Sequence, residues 1–210
     1  MFITFEGIEG CGKTTQMGRL AERLKTCGVP VMMTIEPGGT KIGETIRHIL
    51  LDSRNRNLSP LAELLLYTAD RAQHVEEVIE PALHQGKWVL CDRFLDATVV
   101  YQGMARCQDM QFIEVLNDKV TKGICPDITI LLDCPVEVGL ERALKRNKEL
   151  LQEGQDRFER EKVDFHTEVR KGYLQLAQQN PQRFIVIDAS SSPDKIEENL
   201  FQQMVPFLNI

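Results

Sequence analysis

Gly7-Ile8-Glu9-Gly10-Cys11-Gly12-Lys13-Thr14 follows directly on the apolar run Phe2-Ile3-Thr4-Phe5. The run is short and rich in β-branched and aromatic residues, so it reads as a buried strand. The eight residues after it match G-x-x-x-x-G-K-[ST] in full. Glycines let the backbone turn tightly with its N–H groups pointing inward. Those donors, the dipole of the following helix and the Lys13 ammonium form a cradle for a polyphosphate. The Thr14 hydroxyl is placed to reach a magnesium ion. Downstream, Met17, Leu20, Ala21 and Leu24 repeat at helical spacing, and Gly28 marks the stop.

Working outward, further strands are expected at Val29–Thr34, Trp88–Cys91, Ile128–Leu132 and Phe184–Ile187, with helical patterns between them. That alternation predicts an α/β fold, a five-stranded parallel sheet with helices on both faces. The 210 residues fit one domain, 1–210, with a substantial core. Net charge is −6, with 31 acidic against 25 basic residues, so a nucleic-acid partner is not expected and any phosphate site is a local basic pocket. The six cysteines contain no C-x-x-C, which speaks against zinc or a disulfide framework and for reduced, cytoplasmic thiols. Cys11, inside the phosphate loop, reads either as a reactive thiol or, first, as a small residue filling a loop position. Met1 is almost in the first strand, so no signal peptide is expected, and no apolar run reaches membrane-spanning length.

Several strand ends carry chemistry. Glu36-Pro37-Gly38-Gly39-Thr40 is a turn at the carboxyl end of the second strand, where open α/β sheets bind ligands. Ile42 to Leu51 reads as a helix carrying Arg47. Ser59-Pro60 starts another, on which Tyr67 and Arg71 share a face. A ring beside a guanidinium suits a flat ligand, but the pair alone reads first as a core tyrosine next to a surface arginine. Trp88-Val89-Leu90-Cys91-Asp92 ends in a carboxylate followed by Arg93, a pair that reads either as a simple strand-end ion pair or, beside the phosphate loop, as a magnesium and phosphate site. Thr98, Tyr101 and Gln102 lie on one helical face, either to read a ligand or simply solvated. Arg142, Lys145, Arg146 and Lys148 make a basic cluster. The polar stretch Arg146 to Arg160 is a surface segment or a flap over the site.

The phosphate loop alone leaves kinase, GTPase and ATPase open. Asn117-Asp118-Lys119 has the wrong order for the guanine motif N-K-x-D, and a DNA-acting ATPase would be larger and more basic. A small kinase with a compact acceptor remains.

The motifs then carry a specific resemblance, which spans the chain. Phe5-Glu6-Gly7-Ile8-Glu9-Gly10-Cys11-Gly12-Lys13-Thr14-Thr15, Glu36-Pro37-Gly38-Gly39-Thr40, Asp92-Arg93-Phe94, Tyr101-Gln102-Gly103, Asp156-Arg157-Phe158-Glu159 and Val186-Ile187-Asp188-Ala189 resemble, in order, the signatures of the bacterial thymidylate kinases. That resemblance implies a P-loop NTPase fold of adenylate-kinase-like arrangement with a short lid, about 146–160. It implies transfer of a phosphoryl group from ATP to dTMP with Mg2+, in a homodimer. Residues Gly7 to Thr15 and Arg142 would bind ATP, and Thr14 and Asp92 the metal. Glu9 would lie near the acceptor sugar. Tyr67 would stack on thymine and Arg71 bond its carbonyl edge, with Thr98 and Gln102 facing the base and Tyr101 crowding a 2′-hydroxyl. Glu36 and Pro37 would help form the acceptor site, and Arg47 and Arg93 would hold its phosphate. Lys13, Arg93, Asp92 and Glu9, with Arg146 and Arg157 of the lid, would be the catalytic set. The chain departs from the family pattern at Ile35, where arginine is common, at Phe94 for Tyr or His, and at Ala97 for serine. Cys11 leaves the loop without an arginine, so the lid would have to supply one.

Overall fold

In the computed structural model, which describes residues 1–149 and 156–208, five parallel strands form one sheet in the order β2-β3-β1-β4-β5. The strands are β1 (Phe2–Glu6), β2 (Val31–Ile35), β3 (Trp88–Asp92), β4 (Ile128–Asp133) and β5 (Phe184–Asp188). Each expected strand is present. All five run one residue further at the carboxyl end, because Glu6, Ile35, Asp92, Asp133 and Asp188 still pair in the ladder. β2 starts at Val31, later than expected, after the Val29-Pro30 approach.

All five residues of β1 are buried, as a central parallel strand requires. Alternation sorts its side chains. Ile3 and Phe5 join a large core with Leu20, Leu24, Leu90 and Tyr173. Phe2 faces the other way, with Val89, Cys91, Ile79 and Phe94. Helices α1 (Lys13–Thr26), α8 (Val163–Gln179) and α9 (Pro193–Met204) supply the first core. Two helices begin on side-chain caps. In α2 (Lys41–Leu51), Thr40 Oγ1 accepts the Gly43 N–H at 2.9 Å, and in α3 (Pro60–His74), Ser59 Oγ accepts that of Ala62 at 3.2 Å.

After α3 the chain makes π-helical turns over Val75–Ile79 and then α4 (Glu80–His84). Beyond β3 come α5 (Leu95–Thr98), more π-helical turns over Val99–Ala105, and α6 (Met110–Thr121). Thus Thr98, Tyr101 and Gln102 share a face across a wider turn than the expected α-helix. α7 (Val136–Glu149) follows β4. Residues 150–155 of the expected lid, and the side chain of Lys148, lie outside the described residues. No described helix is long and apolar enough to cross a membrane.

Candidate active site

The loop from β1 to α1 wraps around its own amides. Gly7, Gly10 and Gly12 all have positive φ. A side chain on Gly10 would strike the carbonyl of Gly139 on α7, so only glycine lets the loop pack there. Lys13 Nζ donates to the carbonyls of Ile8 at 2.9 Å and Gly7 at 3.2 Å, and lies 3.6 Å from Cys11 Sγ. Cys11 is buried, a filler of the loop's interior. Thr14 Oγ1 donates to Asp92 Oδ2 at 2.7 Å, so the two expected metal ligands touch. Both offer hard oxygens, the donor type Mg2+ takes. Among the described residues no cluster of three or more His, Cys, Asp or Glu is suited to a metal, so the remaining ligands of such an ion would be phosphate and water oxygens.

A cavity of about 830 Å³ opens beside this loop. Its donor end is lined by Gly10 to Thr15, Arg142, Arg146 and Ser191. Arg142 Nη1 donates to the Ala189 carbonyl at 3.1 Å, pinning α7 to the turn after β5. Its other end is lined by Pro37, Arg47, Tyr67, Arg71, Thr98 and Gln102, with Arg93 and Tyr101 between. Arg47 Nη1 donates to the Pro37 carbonyl at 2.8 Å, which holds its guanidinium over the turn.

Asp92 and Arg93 do not pair with each other in a simple strand-end bridge. Arg93, at φ 70°, turns away and donates to Glu9 Oε1 at 3.1 Å and to the Tyr173 hydroxyl at 3.0 Å. The Tyr101 hydroxyl donates to the same Glu9 oxygen at 2.6 Å. Burial pushes the Glu9 carboxyl up, but His166, Arg93, Lys13 and Tyr101 together hold it well below the usual carboxylate range. Glu9 is therefore an anion fixed between cations at the middle of the cavity.

The reading of Arg71 as a surface arginine is overturned: its side chain is 1% exposed. It donates to Glu36 Oε1 at 2.7 Å, Asn117 Oδ1 at 2.6 Å, Thr98 Oγ1 at 2.8 Å and the Phe94 carbonyl at 3.2 Å. Four of its five N–H groups are so used, which makes the buried guanidinium a rigid donor at the cavity wall. Phe94 has a packing reason for its departure from Tyr or His. Its ring is buried edge-on to Phe2 at 4.9 Å, with Arg71 5.3 Å from its centroid. Thr98, Tyr101 and Gln102 are likewise buried, not solvated. Gln102 Nε2 donates to Glu63 Oε1 at 2.9 Å.

Of the two lid arginines, Arg146 lines the cavity, 3.5 Å from Glu159. Arg157 lies outside its wall. It pairs with Glu63 Oε2 at 2.7 Å and donates to the Leu50 carbonyl at the end of α2. Beside it, Phe158 enters the cavity wall, its centroid 5.6 Å from Tyr101 and 6.5 Å from Tyr67.

Sequence reasoning assigned no role to Glu6, Glu63, His166, Arg170 or Tyr173. Three of them lie on one face of α8. His166 reaches Glu9, Arg170 grips Asp133 at 2.7 and 2.9 Å, and Tyr173 donates to Glu6 at 2.6 Å. Their spacing of four and three was the available signal. Glu63 was visible only as a first-turn acid.

The thymidylate kinase family model matches residues 5–200. The thymidylate kinase of Citrifermentans bemidjiense is 57% identical over 189 residues, covering 90% of this chain and 84% of its own. That of Geotalea daltonii is 52% identical over 209 residues, covering 99% and 98%. The crystal structure of thymidylate kinase from Ehrlichia chaffeensis superimposes with a TM-score of 0.76 at 35% identity, covering 97% of this chain and 98% of that one. With the phosphate loop, the strand order and the cavity all in place, this chain belongs to the thymidylate kinase family.

Proposed function

We propose that this protein transfers the γ-phosphoryl group of ATP to the phosphate of dTMP, giving ADP and dTDP. The observation that carries the reading is the cavity itself, with a phosphate loop at one end and the Tyr67–Arg71 corner at the other. ATP lies with its phosphates over Gly10 to Thr15 and its base near Arg142 and the Ala189 turn. dTMP lies with thymine on Tyr67, its carbonyl edge toward Arg71, and its phosphate between Arg47 and Arg93. Glu9 and Tyr101 meet the sugar from the side where a ribose would carry a 2′-hydroxyl.

The acceptor is already an anion, so the chemistry needs positioning and charge neutralisation more than a base. Lys13 leaves the Gly7 and Ile8 carbonyls for the β- and γ-phosphates. Arg93 holds the acceptor oxygen in line while its contact with Glu9 fixes its direction. Arg146, from the lid, faces the transferring group. Thr14 and Asp92 would hold Mg2+, which supplies charge neutralisation of the phosphates. Exclusion of water from the site keeps the phosphoryl group for the acceptor and not for hydrolysis.

We read the working form as a single 1–210 domain that pairs as a homodimer. Leu61 and Leu65 of α3 and Phe112 and Val115 of α6 are exposed apolar side chains on helices that pack together, which supports that face as the interface. Six free thiols fit a reducing cytoplasm.

The test is ADP release with ATP, Mg2+ and a panel of dTMP, dUMP, dCMP, dAMP, dGMP, UMP and thymidine. Strong preference for dTMP is expected. Preference for another acceptor would overturn the Tyr67–Arg71 assignment, and ATP binding without acceptor-dependent release would overturn the kinase reading.

A further inference from the structure

Gln16 lies in the first turn of α1, directly behind the phosphate loop, and is 2% exposed. It lines the donor end of the cavity together with Arg142, Ser191, Pro193 and Ile196. Gln16 Nε2 donates to the Pro193 carbonyl at 2.9 Å. A carbonyl takes only a donor, so that bond orients the amide and leaves Oε1 as its free acceptor. Oε1 has no partner among the described residues. Buried polar atoms are normally paired, so a lone acceptor on a residue of the cavity wall calls for a donor from the ligand.

The surroundings say which ligand group that is. Arg142 Nη1 holds the Ala189 carbonyl and Gln16 Nε2 that of Pro193, so the turn after β5 is fastened at both ends, from α7 and from α1. Between them, Asp188 Oδ1 accepts the Ser190 N–H at 2.9 Å and its hydroxyl at 2.6 Å. Pro193 and Ile196 add apolar surface, and the Arg142 guanidinium adds a flat one. Such walls suit a flat aromatic ring, and a single acceptor among them reads one polar group on the ring edge. The two common purines differ there. Adenine carries an amine donor at C6, and guanine a carbonyl acceptor.

We infer that Gln16 reads the donor base, its Oε1 accepting a hydrogen bond from the exocyclic C6 amine of ATP. The terminal torsion of glutamine is soft, so Oε1 can meet the ring edge while Nε2 keeps its bond to Pro193. One side chain then fastens the turn and selects the base. A 6-oxo purine leaves Oε1 facing another acceptor, and a purine without a C6 substituent leaves it unpaired. This deepens the assignment of ATP to the donor end and rests on it. A glutamine that only fastens α1 to α9 gives no reason for discrimination at C6.

The test crosses the wild type and two variants with three donors. The donors are ATP, purine riboside triphosphate, which lacks the amine, and inosine triphosphate, which carries a carbonyl in its place. With dTMP saturating, the wild type should lose about tenfold in kcat/KM when the amine is deleted, the scale of one hydrogen bond, and more with the carbonyl. In Gln16→Met, which is close in size but has neither amide atom, the three donors should come within about twofold of one another. That variant also loses the Pro193 bond, so a loss common to all donors is expected and cancels in the ratio. Gln16→Glu keeps an acceptor on the same stem without the Pro193 bond, and should keep most of the preference for ATP. The dTMP KM should stay within about twofold in both.

Equal use of the three donors by the wild type, or a preference for ATP that persists in Gln16→Met, would overturn the inference. So would matching behaviour of Gln16→Glu and Gln16→Met, which loss of the Pro193 fastening alone predicts. Should Gln16→Met not fold, Gln16→Ala takes its place. If the wild type transferred no phosphate to dTMP from any donor, the kinase reading would have failed instead. The same comparison would then be read as nucleotide affinity by calorimetry, where equal affinities for the three purines overturn the role of Gln16.

Discussion

Lys13 spends its donors on the Ile8 and Gly7 carbonyls, and exchanging them for phosphate oxygens needs only a small swing of the side chain. Lys13→Ala should therefore fold normally and lower turnover at least about a hundredfold, the scale of one charge-stabilising group. Near-normal ADP release in that variant would remove the loop from the mechanism. Arg71→Ala should raise the dTMP KM far more than the ATP KM. Equal losses for both nucleotides would place Arg71 outside the acceptor corner. Glu6 gives a pH signature. Burial pushes its carboxyl up from 4.5 to about 7, against the pull of Arg93 and Tyr173. The folded protein then holds a proton that the unfolded chain releases. Its stabilisation is complete below pH 4.5 and is lost as pH rises to about 7. Glu6→Gln should remove that decline, worth up to roughly 3 kcal/mol, from denaturant curves across the window. Asp70, raised to about 6 by burial and Glu36, has the same sign and leaves a residual slope. Parallel curves for variant and parent would show that Glu6 does not titrate there.

Helices and loops set which residues meet, and here legibility in the sequence divides. The phosphate loop was legible because its glycines, lysine and threonine are consecutive. The face shared by Tyr67 and Arg71 was legible because the helical period is fixed. The burial of Arg71 was not, because its partners Glu36, Thr98 and Asn117 come from three other segments. In the sequence Asn117 reads only as part of a failed guanine motif. The network at Glu63 was hidden for the same reason. It joins Gln102 of the π-helical turns, Arg106, and Arg157 of the expected lid, and Arg106 continues to Glu161 at 2.7 Å. These bonds fasten Arg157 directly, and Glu161 through Arg106, to α3. Glu63→Gln leaves two guanidiniums short of their counter-charge, so stability should fall by roughly 2–4 kcal/mol. Amide exchange over 156–162 should rise more than elsewhere. Unchanged exchange in that segment would mean that Glu63 does not hold it.

For the whole molecule, the parallel sheet places its loop, Asp92 and Arg93 along one edge, because β1 and β3 are neighbours and end together. On the proposed reading the two nucleotides approach from opposite ends of a single cavity, as direct transfer requires. None of the exposed apolar side chains Leu61, Leu65, Phe112 and Val115 of α3 and α6 lines the cavity, so the proposed pairing through them would leave it free. Val115→Lys, at the most exposed of these positions (66%), should shift light-scattering mass from dimer toward monomer with the fold intact. An unchanged mass would exclude that face. The claim that both substrates meet in one cavity is tested most directly by the stereochemistry of the transferred phosphorus. ATP made chiral at its γ-phosphorus by oxygen isotopes is turned over with dTMP, and the configuration of the β-phosphorus in dTDP is read. Inversion is predicted for one in-line displacement between the bound nucleotides. Retention would contradict the account, since it requires two displacements and a phosphorylated side chain on the enzyme.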